Sequence, residues 1–300
     1  MNIELSHPED KGSRGGDTVR AGVIGIGQVG RGVALCLQRK GLLSAIYDVR
    51  DNLGDDLPPI EQSPIELARK CDVVLIAVVT ADQAIDVLRG PNGVLAAGNK
   101  DQIIVLLATV ALSDLERIRA VTDAAGVTLI DCGVMGAARS ADHGMVCLVG
   151  ADQEPLDRVR PVLEGFARYV AHMGGPGAGM TAKIVRNVAA VGCLRAGYEA
   201  AQLAKATGTD LPRLIQAIDD TADANVGPMI FWSREQDPAT DPAEASLREN
   251  LWGMIVKDAQ AALELADVTH MDLSLIKLVC DSGEELVGLG QAASPKSKDA

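Results

Sequence analysis

From Val19 to about Gly150 the chain alternates short β-branched runs with helical stretches, and no other feature restricts the fold so strongly. Such alternation is the rhythm of βαβ units, whose crossovers make neighbouring strands parallel and place helices on both faces of one sheet. "VRAGVI" (19–24) reads as the first strand, Val29 to Lys40 as a helix stopped by Gly41, and "SAIYDV" (44–49) as the second strand. "VVLIAVV" (73–79) is apolar throughout, as a strand buried on both faces must be. "SPIE" (63–66), with proline at the first helical position, and "SDLE" (113–116) are capping signatures expected to open helices, and "VTLID" (127–131) reads as a further strand.

Past "GGPGAG" (174–179) the strand-like runs stop. Met180 to Thr207 reads as one long Ala-rich helix ended by Gly208; helical segments near 211–221, 243–266 and 272–287 follow, with "DPATDPAE" (237–244) as a proline-rich loop. The expected organisation is a disordered tail over 1–18, a sheet domain over 19–179, a helical domain over 180–290 that begins with the long helix, and a second disordered tail over 291–300.

At 300 residues and 47% hydrophobic, the chain can bury a sizeable core. Its net charge of −13 and its 2 Trp, 3 Tyr and 2 Phe argue against a nucleic-acid partner or an anionic membrane surface. The 6 cysteines include no CxxC pair, which fits reduced thiols in the cytoplasm better than a disulfide or zinc framework. Residues 1–18 are too polar for the apolar core of a secretion signal, and no apolar run reaches membrane-spanning length.

Within "GVIGIGQVGRGVALCL" (22–37) the glycines Gly25, Gly27 and Gly30 follow a strand and open a helix. In that setting Gly25 can make the tight turn, Gly27 can admit a pyrophosphate to the backbone, and Gly30 can let helix pack on strand. The helix amino end supplies amides and a positive dipole for phosphate, so Ile26, Gln28 and Val29 join the glycines as cofactor contacts. Asp48 closes the second strand, where a carboxylate accepts both hydroxyls of an adenosine ribose. This favours NAD over NADP, although Arg50 would meet a 2′-phosphate if Asp48 turned away.

Ligands of a doubly wound sheet lie beyond the carboxyl ends of its strands, which here carry "VVTADQ" (78–83, with Val79), "LATVA" (107–111, with Thr109) and "DCGVMGAARSADHG" (131–144). In the last, Gly133, Gly136 and the small Ala137 leave backbone amides open to an anionic group. Lys183 and Asn187, four residues apart in "GAGMTAKIVRN", share one helical face. A lysine of lowered pKa beside a nicotinamide can take a hydroxyl proton as hydride leaves. No nucleophile elbow and no helical HExxH pair supports a hydrolase or a metal site, and neither His143 nor His172 has a readable orienting partner.

The ordered set of glycine motif with Asp48, Thr109, "DCGVMGAARSADHG", "GPGAGMTAKIVRN" and "KDAQAALELA" (257–266) resembles the β-hydroxyacid dehydrogenases over roughly residues 19–288. The resemblance implies an α/β fold, a Rossmann-type doubly wound parallel sheet followed by an all-α C-terminal domain, in a homodimer or homotetramer. It also implies Lys183 as catalytic acid/base, Asn187 as the group that holds the substrate, Thr109 in the nicotinamide site, and Lys257 with Asp258 closing the cleft over cofactor. The family usually reads Asp-Ala-Pro-Val-Ser-Gly-Gly where this chain has Asp131 to Ala137, so Met135 replaces the serine that helps bind a substrate carboxylate. Ala108 and Arg186 replace a serine and an asparagine of the family pattern.

The expected activity is NAD-dependent interconversion of a small β-hydroxy acid and its aldehyde or ketone, with Met135, Gly136 and Ala137 on the substrate. Because a thioether cannot donate to a carboxylate, reduction of an imine or of a non-carboxylate carbonyl stands as the alternative, with a non-catalytic NAD-binding protein behind it.

Overall fold

The computed structural model describes residues 19–51, 53–220, 242–268, 270–284 and 289. The expected tails 1–18 and 291–300, and residues 237–241 of the proline-rich loop, lie outside them. The chain divides into two compact units, with the division between Arg186 and Asn187.

The first unit alternates strands and helices as β1 (Ala21–Ile24), α1 (Gln28–Arg39), β2 (Leu43–Tyr47), α2 (Pro64–Ala68), β3 (Val73–Ile76), α3 (Ala81–Leu88), β4 (Ile103–Leu106) and α4 (Leu112–Ala125). It continues through β5 (Thr128–Met135), β6 (Met145–Gly150), α5 (Gln153–Phe166) and β7 (Ala167–Gly174) into the start of α6 (Ala178–Ala206). One seven-stranded sheet results, in the order β2-β1-β3-β4-β5-β6-β7. The central strands β1, β3 and β4 are apolar on both faces because both are covered. Val23, Leu75, Val105 and Ile130 meet α1 and α5, whereas Ile24, Ile76, Leu106 and Leu129 meet α2, α3 and α4. Since β1 lies between β2 and β3, the chain reverses its winding direction beside β1, and the loop after β1 opens at that switch point.

The sheet departs from the expected parallel pattern at one pairing. β5 runs on to Met135 and pairs antiparallel with β6, Cys132 opposite Val149 and Val134 opposite Cys147, before β7 joins β6 in parallel. The stretch read as a loop from Asp131 is therefore strand as far as Met135. Gly133 hid it, since glycine weakens any strand pattern, but its bare backbone is required: a Cβ there would overlap Lys183.

Neither capping signature forms a box. Ser63 precedes α2 without a side-chain bond, while Glu66 accepts the Gln62 N–H at 3.2 Å, and α4 starts at Leu112, ahead of Ser113. The second unit holds the rest of α6, then α7 (Leu211–Asp220), α8 (Pro242–Val268) and α9 (Ser274–Ser282). Pro242 opens α8 instead of continuing a loop, as proline can in a first helical turn. Within this unit the buried Glu199 of α6 accepts the Ser274 hydroxyl at 3.1 Å and the Leu275 N–H at 3.3 Å, tying the start of α9 to α6. No helix among the described residues is long and apolar enough to cross a membrane.

Phe166, the largest fully buried side chain among the described residues, packs in the core with residues of α1 and α5. Phe166→Ala should lower unfolding free energy by about 3–5 kcal/mol, measured by urea denaturation of the full chain.

Candidate active site

Each glycine of the motif has a distinct physical requirement. Gly25 turns the chain with φ of +88°, and a Cβ there would come within 2.8 Å of the Ala77 carbonyl oxygen. A Cβ on Gly30 would overlap the Gly25 carbonyl, so α1 can approach β1 only without one. A Cβ on Gly27 would meet nothing within 4 Å: the residue borders open space in front of the amino end of α1. No side chain caps that end, leaving the first-turn amides for an anion. This cradle fits a pyrophosphate.

Alongside lies a cavity of about 400 Å³ lined by Gly25, Gly27, Asp48, Val49, Arg50 and Val79 among others. Val49 is 83% exposed and Val79 80% exposed, an arrangement that leaves two large apolar side chains ready to cover a planar ring. Val79 is held in place by α3. The Thr80 hydroxyl accepts the Gln83 N–H at 3.2 Å, and the Gln83 side-chain oxygen accepts the N–H groups of Val79 at 2.9 Å and Thr80 at 3.2 Å. The T-x-x-Q spacing is a capping box that could have been read from the sequence.

The Asp48 carboxylate sits at the tip of the glycine turn and accepts the Ile26 N–H at 2.6 Å. Arg50 grips it with Nε at 2.8 Å and Nη2 at 2.9 Å. Those bonds outweigh burial and hold the Asp48 pKa at about 2, so the group is ionised at any physiological pH.

At the far end of the sheet, β5 delivers Met135 and then Gly136, which turns at φ of +83° into the short 3-10 segment Ala137–Asp142. Lys183 projects from the start of α6 onto this strand and donates from Nζ to the Val134 carbonyl at 2.7 Å. Burial, and then the charge of Arg186, lower its pKa below that of an ordinary lysine. The helix start that carries the amine is anchored by Asp131. This fully buried carboxylate at the centre of β5 accepts the N–H groups of Gly177 at 2.6 Å and Met180 at 2.8 Å, anchoring the amino end of α6, with Arg119 Nη2 at 3.6 Å. Sequence analysis names neither Asp131 nor Arg186 as functional: Arg186 was legible as a cation one turn from Lys183, whereas Asp131 lies mid-strand, 46 positions before the Gly177 amide it accepts, and carried no local signal.

Ser140 was not legible. Its hydroxyl donates to the Gln28 carbonyl at 3.1 Å and packs where any side chain on Gly32 would stand, joining the segment after β5 to the helix of the glycine motif across 112 positions. Thr109 lies exposed in the loop after β4. Asn187 follows Lys183 by one turn of α6, as the first residue of the second unit. Lys257 and Asp258 fall in α8, and their side chains are outside those described. The rings of His143 and His172 bond the carbonyls of Glu164 and Ala151, each at 2.8 Å. Burial pushes the Cys71 thiol to about 12, and the described residues contain no metal-holding cluster of histidine, cysteine and carboxylates.

A doubly wound sheet with a glycine cradle at its switch point, and a half-buried lysine beyond another strand end, defines a nicotinamide-dinucleotide oxidoreductase. Residues 20–175 match the family model for the NAD-binding domain of 6-phosphogluconate dehydrogenase. The chain is 33% identical to an L-threonate dehydrogenase of Cupriavidus necator over 207 residues, 67% of this chain and 70% of that one. It belongs to the β-hydroxyacid dehydrogenase family. A Mycobacterium avium protein described as an oxidoreductase superposes with a TM-score of 0.79 at 26% identity, covering 90% of this chain and 99% of its own. An imine reductase variant from Myxococcus stipitatus in complex with NAD+ shares the fold at a TM-score of 0.70 and 16% identity, covering 91% and 94%.

Asp131→Ala should leave the Gly177 and Met180 amides without their acceptor and the Arg119 guanidinium without its nearby counter-charge. The expected loss is about 1–3 kcal/mol of stability in urea denaturation, with the turnover of the remaining folded protein also reduced.

Proposed function

We propose that this chain interconverts a small β-hydroxy acid, or a related alcohol, with its aldehyde or ketone, using Lys183 as the acid/base. The observation that carries the reading is the Lys183 amine itself, half-buried against the end of β5 beside Met135. The bound dinucleotide supplies the hydride acceptor for oxidation and the donor for reduction. Neutral Lys183 takes the hydroxyl proton during oxidation, and the ammonium returns it during reduction. A lowered pKa gives Lys183 a larger neutral fraction at any given pH than an ordinary lysine has.

Asn187 is assigned to hold the substrate oxygen, Thr109 to line the nicotinamide site and Lys257 to close over the cofactor, by analogy with the family. The amides of Gly136 and Ala137 would receive a carboxylate, since Met135 offers no donor. The same Met135 favours a second reading, reduction of an imine or of a carbonyl that carries no carboxylate. A cytoplasmic homodimer or homotetramer completes the proposal.

Purified protein with NAD and a panel of small β-hydroxy acids should form NADH with at least one of them; response only to non-carboxylate carbonyls or imines in the reverse direction would favour the second reading. Lys183→Ala should cost about 10²–10⁴-fold in turnover while NADH binding, followed by fluorescence, stays near wild type. Near-wild-type turnover would remove lysine from the mechanism. Oxidation should rise with pH through the Lys183 pKa and reduction should fall through it. Arg186→Gln, by removing a neighbouring positive charge, should move both limbs to higher pH.

A further inference from the structure

The end of β5 is short of groups that could take an acidic substrate out of water. Met135 offers no hydrogen-bond donor, and the amides of Gly136 and Ala137 bring no charge to offset that of a carboxylate. A counter-charge at this place has to come from another element.

The start of α6 provides one. The stem of Lys183 crosses β5 at Gly133, where a Cβ would come within 2.4 Å of the Lys183 Cβ, and Nζ continues to the Val134 carbonyl at 2.7 Å, one residue short of Met135. Arg186 follows Lys183 by three positions on the same helix. Side chains on a helix lean toward its amino end, so residues three apart are neighbours and the longer arm of Arg186 leans back over the turn from which Lys183 projects. The two are close enough for the charge of one to lower the pKa of the other. Both belong to the first compact unit, and Arg186 is exposed instead of being packed into the core. The cation of the segment after β5, Arg139, lies instead against Gly144, where a Cβ would stand 3.2 Å from its Nε.

We propose that Arg186 is a specificity-determining residue of this site and receives the carboxylate of a β-hydroxy acid. Its planar fork can bind a carboxylate through two parallel N–H donors, which a lysine in its place could not do. A β-hydroxy acid has one carbon between its carboxylate and its carbinol carbon, a length that suits two side chains one helical turn, about 5.4 Å, apart. The carboxylate would then sit at Arg186 while the hydroxyl faces Lys183. The inference rests on the hydroxy-acid reading of the site and is independent of which dinucleotide is bound.

The test is steady-state oxidation of 3-hydroxypropionate, 3-hydroxyisobutyrate and L-serine, each beside its methyl ester, at saturating NAD and at a pH above the Lys183 limb. For an ester that is not turned over, its inhibition constant against the acid replaces KM. Wild type should favour at least one acid over its ester. Arg186→Gln should raise KM for that acid about 10–100-fold and leave the ester within about threefold, so that the preference collapses. Arg186→Lys, which keeps the charge without the fork, should fall between, and Arg139→Gln should leave the preference within about threefold of wild type. Equal change for acid and ester in Arg186→Gln would reduce Arg186 to a charge that tunes Lys183 and would overturn the proposal. An unchanged preference in Arg186→Gln, or its loss in Arg139→Gln instead, would overturn it as well, while leaving the hydroxy-acid reading intact. A wild type that oxidises none of the acids would defeat that reading and the inference with it. Because Arg186 is exposed, unchanged circular dichroism and NADH binding should accompany the kinetic data.

Discussion

The placing of Lys183 at the end of β5 depends on the buried carboxylate of Asp131. A carboxylate removed from water is tolerated only when its oxygens are satisfied, and here two amides of the α6 start do so, with the Arg119 guanidinium 3.6 Å away as counter-charge. The arrangement also places a negative charge at the positive end of a 29-residue helix. Close approach is possible because Gly150 and Gly179 carry no side chains: a Cβ on Gly150 would lie 2.5 Å from the Asp131 carboxylate, and one on Gly179 would lie 2.8 Å from the Asp131 carbonyl. Met180 is then driven into the core on the α2–α4 face, and the helical turn that follows presents Lys183 to Val134. The position of the amine is thus fixed from below, by the strand, and not by the loop around it.

The glycine turn is fixed by a different device. Asp48 and Arg50 hold the Ile26 peptide by its N–H and its C=O together, between the two glycines that border it. Backbone that must stay open to a phosphate cannot be stiffened by its own side chains, so the stiffening comes from the end of the neighbouring strand. On the other side of the cavity, Gln83 holds the Val78–Thr80 loop through its N–H groups. Both walls are therefore set before any ligand arrives, which reduces the ordering cost of binding.

The alternation, the glycine motif with Asp48, and the Lys183 helix were legible because each depends on local spacing. Periodicity exposes a strand buried on both faces, and a turn needing positive φ demands glycine wherever it occurs. What escaped was set over long range. The antiparallel continuation of β5 was concealed by Gly133, a residue chosen for its contact with Lys183, and β7 went unread although it closes the sheet. The serines of "SPIE" and "SDLE" satisfied the pattern but not the geometry, whereas Thr80 and Gln83 formed the box at the loop after β3. Cofactor preference was only half legible: sequence supplied Asp48 and Arg50, and only coordinates reveal that the two grip each other.

Ser140 gives the segment after β5 a second significance. Its hydroxyl bonds Gln28 in the first turn of α1, and the Cys36 thiol donates to the Ser140 carbonyl at 3.3 Å from two turns further along the same helix. The backbone that borders Met135 and the amides facing the pyrophosphate cradle consequently belong to one mechanical body. Any free energy that settles one part of that body is felt by the other in equal measure, since linkage is reciprocal. A substitution among residues 136–142 would therefore also be felt at the amino end of α1, where the glycine cradle lies.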